Sequence, residues 1–200
     1  MNRILVATGN LKKRHEIMEL LEDLKDVEVL NFKDLPGPAP MVVENGKTFR
    51  ENAIKKAVIA SRFFDGLVIA DDSGLEVEAL GGKPGVRSAR FARAKATDQE
   101  NNEKLLKLLE RIPENHRQAR FVCHITLART GTLLENFEGV VEGRVAAKPK
   151  GKNGFGYDPI FIPEGHDKTF GQITAEYKNR ISHRGQALQK LKGAIGKYLA

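Results

Sequence analysis

Two adjacent acidic residues are the strongest candidates for chemistry in this chain. Asp71 and Asp72 follow the apolar run Leu67–Ala70 and precede Ser73. Neighbouring carboxylates repel each other, so the pair favours a bound cation. Mg²⁺ prefers hard oxygen ligands, usually one or two carboxylates together with water and phosphate oxygens. The pair therefore predicts a magnesium site, with Glu44 as a possible second ligand, although these residue types also suit a solvated turn.

A second candidate is the short polar loop between the first predicted strand and the first predicted helix. This loop contains Thr8, Gly9, Asn10 and Lys13. Backbone N–H groups and the dipole at a helix N-terminus favour a bound phosphate. The loop lacks the GxxxxGK[ST] and GxGxxG spacings, which excludes a P-loop and a dinucleotide fold. It predicts an anion site, and an ordinary helix start is the alternative.

Two further segments have residues suited to binding a nucleotide. Phe155 and Tyr157 lie in a glycine-rich loop, where an aromatic ring can stack on a base. His183 and Arg184 follow Ser182 at a predicted helix start, and such a pair can bind a carbonyl or phosphate oxygen. The alternatives are a mobile loop and a pair of solvated polar residues.

Composition limits the classes of partner. The chain has 33 basic and 26 acidic side chains and a net charge of +7, which favours anionic partners without choosing between nucleic acid and nucleotides. HExxH is absent and the histidines have no zinc-like spacing. Cys123, the single cysteine, stands in an apolar run that predicts a buried thiol in a reducing cytoplasm. Neither a signal peptide nor a membrane span is expected.

The elements that must position these residues alternate between strand and helix. Apolar runs predict strands over Arg3–Ala7, Val27–Leu30 and Leu67–Ala70, the last ending directly before the paired aspartates. Helical spacing and capping boxes predict helices over Ile17 to Leu24, Thr48 to Phe64, Thr97 to about Arg111, and from Ser182 onward.

The second half of the chain adds a hairpin. Residues 121–127 alternate in polarity, and Gly131 separates them from a second run, Leu133–Val145, while Pro159–Ile162 predicts a short strand. Parallel-type strands joined through helices, together with a hairpin, predict an α/β fold with a mixed sheet covered by helices on both faces. The length predicts one domain over residues 1–200.

Seven sequence blocks in one order resemble the inosine triphosphate pyrophosphatase family almost from end to end. They are Ala7–Lys13, Phe49–Ala53, Ala70–Val77, Ala79–Gly85, Ser88–Phe91, Gly154–Pro159 and Ser182–Leu188. The resemblance implies a three-layer α/β/α fold with a long, twisted mixed sheet. One departure is Lys12, where many relatives carry glycine, and it adds positive charge near the implied phosphate site.

The resemblance also implies an activity and a set of site residues. Family members hydrolyse non-standard purine nucleoside triphosphates (ITP, XTP and dITP) to the monophosphate and pyrophosphate, using Mg²⁺. Asp72 would bind the metal and act as general base, with Glu44 as a further ligand. Implied substrate contacts come from Thr8, Gly9, Asn10, Leu11, Lys12, Lys13, Ser73, Phe155, Gly156, Tyr157, Asp158, Lys178, His183 and Arg184. A cytoplasmic homodimer without nucleic-acid or membrane partners is expected.

A preference for 6-oxo purines follows if the base pocket has hydrogen-bond donors aimed at that oxygen. The amino group of adenine would leave such donors unpaired, at a cost of about 1 to 3 kcal/mol each. Two alternatives stay open: a basic nucleic-acid-binding module, and a pyrophosphatase with broader nucleotide specificity. The first gives no role to Asp71 and Asp72, whose charge repels a polyanion in the absence of metal.

Overall fold

The computed structural model describes residues 2–199, which divide into two compact units. Unit 1 contains the described residues up to Asp72, the segment Cys123–Gly139 and the residues from Arg184 onward. Unit 2 contains Ser73–Val122 and Val140–His183. The prediction of a single domain over residues 1–200 stays a prediction.

Six strands form one mixed sheet. They are β1 (Asn2–Val6), β2 (Val27–Asn31), β3 (Leu67–Val77), β4 (Gln118–Arg129), β5 (Thr132–Val145) and β6 (Phe161–Pro163). Their order in the sheet is β2-β1-β3-β4-β5-β6. β1 pairs in parallel with β2 and β3, whereas β5 and β6 are antiparallel. The predicted α/β class with a mixed sheet is therefore confirmed.

Within residues 2–199, five α-helices accompany the sheet. They are α1 (Leu11–Leu21), α2 (Phe49–Ala60), α3 (Asp98–Leu108), α4 (Ala175–Ile181) and α5 (His183–Ile195). Short 3₁₀ helices cover Phe32–Asp34, Glu78–Leu80, Gly85–Arg90, Glu114–His116, Asp158–Ile160 and Phe170–Gln172. Among residues 2–199, no helix has both the length and the apolar character needed to cross a membrane.

Unit 1 has helices on both faces of its part of the sheet. Successive strand residues point to opposite faces, so Leu67 and Ile69 pack with α1 and α5, while Val68 and Ala70 pack with α2. Both faces of β3 are therefore buried, as its uninterrupted apolar sequence requires. The predicted three-layer α/β/α arrangement is present in this unit.

Unit 2 has its own apolar core on its parts of β3, β4 and β5. Leu105 and Leu109, from α3 and the residue after it, pack with Val77, Phe121 and Phe161. The Phe121 and Phe161 rings meet edge to face, with centroids 4.7 Å apart. This core supports the glycine-rich loop, because Tyr157 is one of its members.

Several predicted boundaries need correction. α2 begins after Thr48 as predicted but ends at Ala60, and α3 ends at Leu108, before the predicted limit near Arg111. The Thr97 capping box is complete, whereas Glu51 bonds the amide of Lys47 instead of that of Thr48. Helix α4 lacks a long apolar pattern and was not predicted.

The predicted hairpin is formed by β4 and β5. The two residues that join them, Thr130 and Gly131, have φ values of 48° and 78°. Two successive residues with positive φ are typical of the tight turn whose twist matches paired strands.

We expect Leu191→Ala to lower the free energy of unfolding by about 2 to 5 kcal/mol, because Leu191 is fully buried and its removal leaves a cavity. Leu108→Ala is the control, since Leu108 is 49% exposed, and should cost about 0.5 to 1 kcal/mol. Urea unfolding measures both values. Equal losses in the two variants would contradict this assignment of the core.

Candidate active site

Asp71 and Asp72 lie in the middle of β3, not after its end. The prediction that the strand stops at Ala70 was wrong, because β3 continues to Val77. The turn-forming residue types in this segment are overridden by burial: Asp71 is 1% exposed and Asp72 8%. As adjacent strand residues, the two aspartates point to opposite faces of the sheet.

Asp71 is neutralised by two cations on its face of unit 1. Its Oδ2 lies 3.1 Å from Lys13 Nζ and 3.2 Å from Arg184 Nη2. Arg184 also pairs with Glu16 of α1. Burial acts to raise the pKa of Asp71, but Lys13 and Arg184 outweigh it, so the pKa lies well below its ordinary value. Asp71 is therefore ionised at neutral pH, and its carboxylate holds the side chains of Lys13 and Arg184 in place.

Asp72 contacts helix α2 on the opposite face. Its Oδ1 lies 3.2 Å from Lys56 Nζ, and its Oδ2 accepts a 3.1 Å hydrogen bond from Asn52 Nδ2. Burial raises the pKa of Asp72 above its ordinary value, although Lys56 and Lys13 act in the opposite direction. The two neighbouring aspartates thus differ in proton affinity.

Glu44 and Asp72 converge on one cation. The Nζ of Lys56 lies 3.1 Å from Glu44 Oε2 and 3.2 Å from Asp72 Oδ1. Burial acts to lower the pKa of Lys56, but Asp72, Asp71 and Glu44 outweigh it and the pKa is raised. Its ammonium therefore carries its charge at neutral pH and lies between the two carboxylates.

This donor set fits Mg²⁺. Two carboxylates that share one cation provide hard oxygen ligands, and Mg²⁺ normally completes its shell with water and phosphate oxygens. Within residues 2–199 there is no cluster of three or more His, Cys, Asp or Glu side chains suited to a metal. Glu44 and Asp72 are therefore the carboxylates that could hold a metal here.

The predicted anion loop is stabilised by Asn10. Its Oδ1 accepts hydrogen bonds from the amides of Lys12 and Lys13, at 3.0 and 3.1 Å, and so caps α1. The amide of Asn10 in turn donates to Thr8 Oγ1. Gly9, Asn10, Leu11 and Lys12 are exposed, whereas the Lys13 ammonium is bound by Asp71.

The glycine-rich loop of unit 2 is organised by Asp158. This buried carboxylate accepts hydrogen bonds from the Phe155 amide at 2.7 Å and from Lys178 Nζ at 2.6 Å. Lys178 Nζ also lies 4.8 Å from the centre of the Phe155 ring. Gly154 has a φ of +72°, and a Cβ there would lie 2.0 Å from Asp158 Oδ2. Glycine is therefore required at that position for the carboxylate to bond the loop.

Tyr157 faces the core rather than solvent. It is 4% exposed, and its hydroxyl donates a 2.9 Å hydrogen bond to the carbonyl of Ser88. Burial, with the charge of Asp98 acting in the same direction, raises the pKa of this phenol, which therefore stays a donor. Of the two predicted stacking aromatics, Tyr157 is a structural anchor, and Phe155 is the more accessible ring.

Three further predicted site residues, Ser73, His183 and Arg184, are partly or fully buried. Ser73 is partly buried in β3. His183 is 4% exposed and stacks on Phe121, with ring centroids 4.7 Å apart and an interplanar angle of 8°. Arg184, 2% exposed, is a buried ion-pair partner rather than a solvated side chain.

Sequence reasoning assigned no role to Lys56 and Asn52. They lie four residues apart on α2, so both reach the same carboxylate. The i,i+4 spacing of two polar residues after the Thr48 cap was the available signal. It identifies one face of a helix, but only the fold brings that face to Asp72.

Together these features define an α/β protein with a carboxylate and ammonium cluster suited to a divalent cation and an anionic ligand. A model of the Ham1 family matches residues 4–194, and the chain belongs to this family.

Individual relatives agree with this assignment. A dITP/XTP pyrophosphatase of Shouchella clausii is 47% identical, covering 98% of this chain and 97% of the relative. That of Oceanobacillus iheyensis is 44% identical, with 96% of each chain covered. The structure of a HAM1 protein from Coxiella burnetii has a TM-score of 0.88 and 41% identity, covering 98% of this chain and 100% of that one.

We expect Asp71→Asn to lower the free energy of unfolding at neutral pH by about 3 to 5 kcal/mol, because it removes the buried carboxylate that the Arg184 guanidinium and the Lys13 ammonium share. Asp23→Asn is the control: Asp23 pairs with Lys192 but is 70% exposed, so its loss should cost about 1 kcal/mol or less.

The same pair of variants predicts a dependence on pH. The folded-state pKa of Asp71 is depressed, so its stabilisation is present above the unfolded value near 3.8 and is lost as pH falls below it. Urea unfolding from neutral to acidic pH should show the gap between the native chain and Asp71→Asn closing in acid. A gap that is independent of pH would contradict the charge assignment.

Proposed function

We propose that this chain hydrolyses non-standard purine nucleoside triphosphates, dITP, ITP and XTP, to the monophosphate and pyrophosphate. The convergence of Glu44 and Asp72 on the single cation Lys56 is the observation that carries the proposal, because that arrangement suits metal-assisted attack on a phosphate. Both relatives described above, which share nearly the whole chain, are named dITP/XTP pyrophosphatases, and this supports the choice of substrate.

Glu44 and Asp72 would hold the Mg²⁺ that this reaction requires. When bound, the metal offsets negative charge on the phosphate oxygens and acidifies water. Asn52 keeps the Asp72 carboxylate in a fixed orientation through the hydrogen bond to Oδ2. Lys56 supplies positive charge between the same carboxylates, so it also favours an anionic phosphate there.

Asp72 orients the attacking water and is the candidate general base. A base with the ordinary aspartate pKa of about 3.9 is weak at neutral pH. The pKa of Asp72 is raised, which is the direction that a general base at neutral pH requires. The Asp72 side chain is 11% exposed, so water can reach its carboxylate. A role for Asp72 purely as a metal ligand is the alternative, and Asp71, with its depressed pKa, is excluded as a base.

The Thr8–Lys13 segment is proposed to bind the triphosphate. Its exposed members include Gly9, Asn10, Leu11 and Lys12, and the Lys12 ammonium adds positive charge that a glycine would lack. Ser73 is proposed as a further substrate contact next to Asp72.

The loop residues Phe155, Gly156 and Asp158 are proposed to recognise the base together with Lys178 and His183, and the buried Tyr157 ring is proposed to anchor this loop. The Lys178 ammonium lies 2.6 Å from Asp158 Oδ2 and 4.8 Å from the centre of the Phe155 ring, and it is the donor proposed to meet a 6-oxo group. The amino group of adenine cannot accept that bond, which disfavours ATP. The ion pairs of Arg184 with Glu16 and Asp71 favour a supporting role for it on the Asp71 side.

We propose that the enzyme acts in the cytoplasm, where it removes deaminated purine nucleotides from the nucleotide pool. We include a homodimer in the proposal, because twofold pairing is the commonest assembly of soluble enzymes. Size-exclusion chromatography with light scattering tests the assembly.

The test of the proposed activity is pyrophosphate release from ITP, XTP, dITP, ATP and GTP, with and without Mg²⁺. We expect metal-dependent release from the first three substrates and slow release from ATP and GTP. Asp72→Asn should lower kcat by about 10² to 10⁴-fold, the usual contribution of a positioned base. Asp65→Asn, whose side chain is fully exposed, is the matched control and should retain full activity.

The outcomes separate the alternatives. Equal rates on all five triphosphates would replace the proposal with a pyrophosphatase of broad specificity. Absence of pyrophosphate from any triphosphate would overturn the enzymatic proposal and favour a nucleic-acid-binding module.

A further inference from the structure

Helix α3 holds both backbone groups of Gly156, the residue at the centre of the proposed base-recognition loop. Asp98 Oδ2 accepts a 2.9 Å hydrogen bond from the Gly156 amide, and Asn102 Nδ2 donates a 3.0 Å bond to the Gly156 carbonyl. Asp98 and Asn102 are four residues apart, so both project from one face of the helix.

We infer that Asp98 and Asn102 are positioning residues that set base specificity by fixing the conformation of Gly156. Gly156 has a φ of +61°, in the left-handed region, and its neighbours Phe155 and Tyr157 point in directions that depend on this conformation. The inference rests on the proposed role of residues 155–158 in recognising the base.

The flanking residues need a fixed Gly156 because each is tethered elsewhere. The Phe155 amide bonds Asp158, and the Tyr157 hydroxyl bonds the Ser88 carbonyl. A different Gly156 conformation would break one of these tethers or shift Asp158, which also holds Lys178. The proposed 6-oxo donor is therefore coupled to the bonds from α3.

The burial of Asn102 supports a specific role for its amide. Asn102 is 6% exposed, and within residues 2–199 its Oδ1 has no hydrogen-bond partner. An unpaired buried acceptor is destabilising, and a leucine of similar size would remove that penalty. The bond to Gly156 is the one interaction here that asparagine provides and leucine cannot.

The start of α3 is itself held in place. Thr97 and Glu100 form a complete capping box. Asn101 Oδ1 accepts a bond from the Ala92 amide, and its Nδ2 donates to the Ala89 carbonyl. The start of α3 is therefore held by contacts outside the glycine-rich loop, and the loop is attached to this helix through Gly156.

The test compares ITP with ATP, which differ only at position 6 of the base and in the N1 proton that accompanies the 6-oxo group. We expect Asn102→Leu and Asp98→Ala to lower the ratio of kcat/KM for ITP to that for ATP by about tenfold, mainly through a higher KM for ITP, equivalent to about 1.4 kcal/mol. Asp98→Asn keeps an acceptor oxygen and should retain most of the preference. Gln99→Ala changes an exposed residue of the same helix, whose side chain donates a 2.8 Å hydrogen bond to Glu103, and is the matched control.

Melting temperatures are measured for each variant, and Asp98→Ala carries the test if Asn102→Leu does not fold. An unchanged ratio in folded variants, or equal losses on both substrates, would overturn the inference and leave a purely structural role. If the native chain hydrolyses ITP and the variants keep its preference for ITP over ATP, this inference is wrong and the proposed function stands. If the native chain hydrolyses neither substrate, the proposed function is wrong as well.

Discussion

The structure depends on keeping two adjacent negative charges inside a buried strand. Because neighbouring residues of β3 face opposite sides of the sheet, Asp71 and Asp72 form their direct ion pairs with cations from different helices. Each face must supply its own: Lys13 and Arg184 on one side, and Lys56 on the other. The helices that cover the sheet therefore provide charge as well as apolar surface, and they do so at fixed positions.

This division gives the two carboxylates different properties. Asp71 is surrounded by fixed cations and stays ionised, so it holds Lys13 and Arg184 next to the loop after β1. Asp72 has a weaker set of partners, a raised pKa and a second carboxylate, Glu44, on the same lysine. The first arrangement is proposed to support the site, whereas the second is the one proposed to bind a metal, water and phosphate. Asp158 and Lys178 repeat the supporting arrangement in unit 2 as a buried pair beneath Phe155.

The sequence allowed prediction of the strands and helices whose signal is local. The apolar runs at β1 and β2, the Thr97 capping box and the hairpin around Gly131 all depend on nearby residues, and their predicted positions agree with the structure. The end of β3 was wrong because Asp, Ser and Gly favour turns unless distant residues bury and pair them. Partners such as Lys56 and Asn52 for Asp72, or Asp98 and Asn102 for Gly156, are separated by many residues in the chain and need the fold to be identified.

In the proposed reaction, water oriented by Asp72 attacks the α-phosphorus of a 6-oxo purine triphosphate, and pyrophosphate is the leaving group. Hydrolysis of dITP in water enriched in the heavy oxygen isotope tests this step, with the products separated and analysed by mass spectrometry. We expect one labelled oxygen in dIMP and unlabelled pyrophosphate. Label in the pyrophosphate, or release of inorganic phosphate together with dIDP, would contradict it.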